Sequence, residues 1–115
     1  MKIYLAHSSN MNYGKLYKAF SLIDEVKFVF PHISKEKNSK TVIKGCDLFI
    51  ADVSKPSHGV GIEIGWANSF GIPIILICKK GSKISSSLKF VSKKIIIYKN
   101  FDDAKDKIKI LLRRI

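Results

Sequence analysis

The sequence predicts an α/β fold in which a five-stranded, mainly parallel sheet is covered by helices. Two observations carry this reading. Short runs rich in Ile, Val and Phe alternate with helix-like segments from one end of the chain to the other, the pattern of a parallel sheet whose crossovers are helical. Each apolar run is also bounded by polar, Gly or Pro residues, as buried strands are. The 115 residues suit one domain over 1–115, because chains of roughly 100–150 residues bury a core without staples. No internal repeat, low-complexity tract or linker interrupts them.

The elements follow in order. Lys2 to Ala6 reads as the first strand, and Tyr13 to Ile23 as a helix with Leu16, Ala19, Phe20 and Ile23 at helical spacing. Val26 to Phe30 is the second strand. A short helical segment around Ser39 to Gly45 leads into a third strand over Asp47 to Val53, followed by a helix from about Gly61 to Ser69. Pro73 to Cys78 and Lys94 to Tyr98 complete the strands, with a short helix over Ser86 to Ser92 between them. The last helix, Asp102 to Arg114, carries two aspartates at its start and two arginines at its end, matching the helix dipole.

Charge narrows the function classes. The 21 Lys and Arg against 9 Asp and Glu give a formal charge of +12, which would attract phosphates. Only Arg113 and Arg114 are arginine, and arginine is the side chain that reads guanine edges and clamps phosphates bidentately. Base readout of nucleic acid is therefore not expected, and the scattered lysines read as a solvated surface or as a field drawing anionic small molecules. Cys46 and Cys78 lack metal-ligand spacing and read as reduced core thiols. No apolar run approaches the ~20 residues of a membrane span, and Met1 to His7 turns polar too early for a signal peptide. A cytoplasmic location without membrane contact is expected.

In open parallel sheets ligands bind beyond the carboxyl ends of the strands. Three loops stand there: His7 to Asn12, Ser54 to Val60 and Lys79 to Ser87. The richest is Ser57-His58-Gly59-Val60-Gly61-Ile62-Glu63, which runs from a buried strand into a helix N-terminus. Hydroxyls, close-approaching glycine backbone and unpaired N–H groups at a helix start suit a phosphate. Glu63 falls within the first turn or so of that helix, where its ionised form is favoured. The same features have plainer readings: Glu63 as a dipole partner, and Gly59 and Gly61 as packing residues.

The stretch from Asp47 through Ile50-Ala51-Asp52-Val53-Ser54-Lys55-Pro56-Ser57-His58-Gly59-Val60-Gly61-Ile62-Glu63 to Ala67, with Gly71-Ile72-Pro73-Ile74 and the opening Ile3-Tyr4-Leu5-Ala6, resembles the nucleoside 2-deoxyribosyltransferase superfamily. Within it the closer likeness is to the 2′-deoxynucleoside 5′-monophosphate N-hydrolases. The resemblance implies a single-domain, Rossmann-like or flavodoxin-like three-layer sandwich. It implies that Glu63 is the nucleophile attacking C1′ of the deoxyribose, that Tyr4 orients its carboxylate, and that Asp52 is an acidic match with a catalytic or structural role. Such a displacement needs an ionised carboxylate beneath an oxocarbenium-like centre. Ser57 and Gly59 match phosphate-binding positions, with Gly61 beside them. Ser86 resembles a serine reaching the phosphate of a neighbouring subunit's site, which implies a homodimer, against the alternative of a polar loop.

Ser57 also separates two branches of that superfamily. In the transferases the position six residues before the nucleophile is commonly aspartate, which repels a phosphate dianion, so serine favours a monophosphate. Lys55, Lys79 and Lys80 add positive potential to the same rim. The chain departs from the pattern at Ser39, where an aspartate near the leaving base is usual. Such an acid contributes typically about 10²–10⁴-fold in rate. It departs again in the short loop His7-Ser8-Ser9-Asn10-Met11-Asn12. His7 and Ser8 are candidate substrate contacts there, and His32, ending the second strand in Phe30-Pro31-His32, resembles a family histidine near the base pocket, with hydrogen-bonded structural roles as the alternative for both histidines; His58 reads as loop surface.

The expected function is hydrolysis of the N-glycosidic bond of 2′-deoxynucleoside 5′-monophosphates, needing no metal or cofactor. The alternatives are base exchange between deoxynucleosides, a non-catalytic nucleotide-binding protein and, more remotely, a basic nucleic-acid-associated domain whose affinity falls steeply with salt.

Overall fold

Alternating side chains along the central strands divide the molecule into two cores, and the division decides which residues can share a site. The computed structural model describes residues 1–35 and 38–115. Its elements run β1 (Lys2–Ala6), α1 (Tyr13–Phe20), β2 (Lys27–Val29), α2 (Ser39–Lys44), β3 (Leu48–Asp52), α3 (His58–Ser69), β4 (Ile74–Lys79), a 3₁₀ turn (Ser86–Phe90), β5 (Ile95–Tyr98) and α4 (Phe101–Leu112). The strands lie in the order β2-β1-β3-β4-β5. All four pairings are parallel, so the sheet is wholly rather than mainly parallel. This is the flavodoxin-like order, in which the direction of winding reverses between β1 and β3 and opens a crevice above their carboxyl ends.

On one face Ile3, Leu5, Leu48, Ile50, Ile75 and Ile77 pack with Leu16 and Phe20 of α1 and Ala104 and Ile108 of α4. On the other, Tyr4, Ala6, Phe49, Ala51, Leu76 and Cys78 pack with Ile43 of α2 and Val60, Ile64 and Ala67 of α3. The two-residue period of the strands produces this split, and β3 is buried along its whole length. Both cysteines are buried thiols outside any disulfide. No helix among the described residues is long and apolar enough to cross a membrane.

Several boundaries differ from the sequence reading. β2 is three residues long because, as an edge strand, it pairs with β1 alone. α1 ends at Phe20. α3 starts at His58 rather than Gly61 because the Ser57 hydroxyl caps it, accepting from the Val60 N–H at 3.3 Å. That cap places Glu63 in the second turn, and His58 becomes the first helical residue.

The far end of α3 closes in a Schellman motif, with the Gly71 N–H on the Asn68 carbonyl at 3.1 Å and the Ile72 N–H on the Ala67 carbonyl at 3.0 Å. Gly71 has φ +72°, and a Cβ there would meet nothing within 4 Å. The cost of a side chain at Gly71 is thus backbone strain alone, about 1–2 kcal/mol. Gly65, inside α3 and equally open to a Cβ, should behave oppositely and gain about 0.5–1 kcal/mol as alanine. Urea unfolding of Gly71→Ala and Gly65→Ala is expected to move the midpoint down for the first and up for the second.

Candidate active site

Tyr4 is 2 % exposed and points from β1 onto the α2/α3 face, its ring stacked on that of Phe49 with centroids 5.6 Å apart and planes 3° from parallel. Register makes this contact, since Tyr4 and Phe49 are paired neighbours on adjacent strands. The Tyr4 hydroxyl donates a hydrogen bond to Glu63 Oε2 of α3. Ser39, the first residue of α2, brings a third hydroxyl to the pair, favouring the charged form of both Tyr4 and Glu63. Asn38 holds it there by capping α2, accepting from the Thr41 N–H at 3.2 Å.

These groups line a cleft of about 820 Å³. His7 and Ser9 contribute from the loop after β1, Pro31 and His32 from the loop after β2, and Ser57 and Gly59 from the start of α3. Trp66, one turn beyond Glu63, completes a wall under the Lys40 ammonium, which lies 6.0 Å from its ring centroid. Burial pushes the Glu63 carboxyl above the ordinary carboxylate range, outweighing the Tyr4 and Ser39 hydrogen bonds that favour its ionised form. The Tyr4 phenol is raised by its own burial first and then by the carboxylate it serves. Tyr4 therefore stays a donor, and Glu63 is a poorly solvated, oriented carboxylate: a group suited to attack an electrophilic carbon.

No protein-family model matches the chain. A solved structure of a CMP N-glycosidase from Clostridium botulinum is 28% identical with a TM-score of 0.76, over 96% of this chain and 99% of that one. A Syntrophotalea carbinolica protein named as a 2′-deoxynucleoside 5′-phosphate N-hydrolase is 44% identical over 41 residues, which is 36% of this chain and 29% of that protein. Both likenesses support the nucleoside 2-deoxyribosyltransferase-like superfamily. A 2-desoxiribosyltransferase from Leishmania mexicana, 17% identical with a TM-score of 0.63 over 95% of this chain and 97% of that one, shares the fold.

The positions to which the superfamily resemblance pointed do not all converge. Tyr4, Glu63, Ser57, Gly59, His7 and His32 line the cleft; Asp52, Ser8, Gly61 and Ser86 do not. Asp52, 1 % exposed, follows Ile50 on the α1/α4 face of β3. There Oδ2 accepts from the Tyr98 hydroxyl at 2.5 Å and Oδ1 from the Ser54 N–H at 2.9 Å. Ser54 in turn accepts the Lys79 N–H at 2.8 Å, so the Asp52 cluster ties together the ends of β3, β4 and β5. Ser8 is buried and its hydroxyl accepts the Asn10 N–H at 3.0 Å. Gly61 is exposed on α3, and Ser86 opens the exposed 3₁₀ turn. Of the rim lysines, Lys55 spans two loops by donating to the Asn10 carbonyl at 2.7 Å.

Sequence reasoning missed Tyr13 and Tyr17 of α1, which join the wall through His7 and His32. Their i,i+4 spacing just after the first loop was the available signal. It also saw Ser39 only as an absent acid, whereas its hydroxyl meets the Tyr4–Glu63 pair.

Glu63 holds its proton more tightly folded than unfolded, so between the ordinary carboxylate value and its raised value the folded state carries the extra proton. Stability falls as pH rises through that window. Glu63→Gln should remove this fall. Urea midpoints are expected to be close for the two proteins at about pH 4, below the ordinary value, and higher for the variant at about pH 8.

Proposed function

We propose that the protein is an N-glycosidase that hydrolyses 2′-deoxynucleoside 5′-monophosphates to free base and deoxyribose 5-phosphate. The observation that carries this reading is the Tyr4–Glu63 pair in a cleft that the Ser57-capped start of α3 also lines. The names of the clostridial and Syntrophotalea relatives, both for cleavage of nucleotides, support it.

In this reading the free lobe of the Glu63 carboxylate attacks C1′ while Tyr4 holds Oε2. The C1′–N bond breaks with its electrons leaving on the base, which takes up a proton. An ester joins Glu63 to C1′. Water then attacks C1′, gives a proton to solvent, and returns Glu63 as carboxylate. Desolvation of Glu63 serves this step by making its oxygens stronger nucleophiles, at the cost of activity in acid, where the raised value leaves it protonated. The 5′-phosphate lies at the head of α3, where the His58 and Gly59 N–H groups have no carbonyl one turn before them and Ser57 replaces a repelling carboxylate. A second copy of the chain brings Ser86 to that phosphate, so the working unit is a homodimer.

Chromatography of free base after incubation with each deoxynucleoside and ribonucleoside 5′-monophosphate, with and without an acceptor base, tests the proposal. Base release without acceptor, preferring the deoxy series and abolished by Glu63→Ala, is expected. Tyr4→Phe should lower kcat by about 10- to 100-fold, the loss of one hydrogen bond to a charged group. Release that requires an acceptor would instead mean base exchange. Nucleotide bound but left intact would mean a binding protein.

A further inference from the structure

We infer that Tyr17 is a positioning residue of the cleft, whose single buried hydroxyl joins the loops after β1 and β2 into one wall by holding the His7 ring at Nε2. The inference rests on reading the cleft as a nucleotide site. Tyr17 sits on α1 and does not itself line the cleft. Its hydroxyl lies 2.5 Å from His7 Nε2 and 3.2 Å from the backbone N of His32.

The donors in this network are fixed by chemistry. The Ser8 carbonyl, 2.9 Å from His7 Nδ1, can only accept, so Nδ1 carries the hydrogen. The His32 backbone N–H can only donate, so the Tyr17 oxygen accepts it and sends its own hydrogen to His7 Nε2. A neutral imidazole with Nδ1–H satisfies every partner, and burial, which lowers the His7 pKa, favours that neutral form.

The rings extend the same arrangement. His32 stacks on His7 at 4.9 Å and on Tyr13 at 4.4 Å, and the Tyr17 ring stacks on Phe30 at 4.4 Å, just ahead of Pro31 and His32. Without the hydroxyl, His7 Nε2 and the His32 N–H both lose this partner, and the loop after β2 loses its hydrogen bond to α1. Tyr17 packs with the α1/α4 core whereas Tyr4 belongs to the α2/α3 core. Its loss should therefore act on binding far more than on the chemical step.

The test is Tyr17→Phe in the full chain, with Phe30→Leu as a packing control that keeps the hydroxyl. The readouts are the ¹⁵N shifts of the His7 imidazole, kcat and KM for base release, and calorimetric binding of deoxycytidine and cytidine 5′-monophosphates to each protein carrying Glu63→Gln. The unaltered protein is expected to show Nδ1–H. Tyr17→Phe is expected to keep Nδ1–H, which the Ser8 carbonyl still accepts, but to shift the Nε2 resonance as its donor is lost, with KM and Kd up about 10-fold and kcat within about 3-fold. Phe30→Leu is expected to lower the melting temperature only. Unchanged Nε2 shift and Kd in Tyr17→Phe, equal weakening by Phe30→Leu, or Nε2–H in the unaltered protein would each overturn the inference; the last needs no variant to fold. Absence of any nucleotide binding would sink the nucleotide-site reading while the imidazole shifts still decide whether Tyr17 positions His7.

Discussion

A hydrogen bond between residues 59 positions apart, from the Tyr4 hydroxyl to the Glu63 carboxylate, is the constraint around which the cleft is organised. The bond requires β1 at the centre of the sheet with Tyr4 facing α3, and α3 started early enough that its second turn overhangs the strand. The first condition comes from the β2-β1-β3 order and the pairing of Tyr4 with Phe49. The second comes from the Ser57 cap. Ser57 is thereby coupled to Glu63 through helix geometry: the residue that starts the helix also sets where the carboxylate stands.

The two faces of the sheet divide the polar groups between them. On the α2/α3 side, hydroxyls of Tyr4 and Ser39 surround a carboxylate whose burial opposes its charge. On the α1/α4 side, Asp52 is held by Tyr98 and Ser54 beneath the loop that leads to Ser57. Tyr98 is itself raised above the ordinary phenol value, by burial and then by Asp52, so it remains a donor to that carboxylate. The buried Asp52 and the half-buried Glu63 each have a tyrosine donor, and of the two Glu63 lines the cleft. Asp52 braces the strand ends.

The fold was legible because its strands are continuous Ile, Val and Phe runs that only a doubly covered parallel sheet can bury. The start of α3 was not, because His58-Gly59-Val60-Gly61 reads as a loop by composition and the cap depends on where the Ser57 hydroxyl turns. The separation of Asp52 from Glu63 was available in principle: Ala51 shares a face with Phe49 and Tyr4, so Asp52 must look the other way. The union of Ser39 with Tyr4 and Glu63, and of Tyr17 with His7 and His32, was not available. Each joins residues from elements distant in sequence through one hydroxyl, and no local pattern encodes where a single hydroxyl points.

The central claim is covalent: in the proposed reaction Glu63 itself bonds to C1′. Rapid acid quenching during turnover of a deoxynucleoside 5′-monophosphate, followed by mass spectrometry of proteolytic peptides, tests it most directly. The account predicts one deoxyribosyl 5-phosphate on the peptide containing Glu63, absent from the Glu63→Gln protein. An adduct on another side chain, or steady base release with no adduct under conditions where release of the sugar is slow, would contradict it.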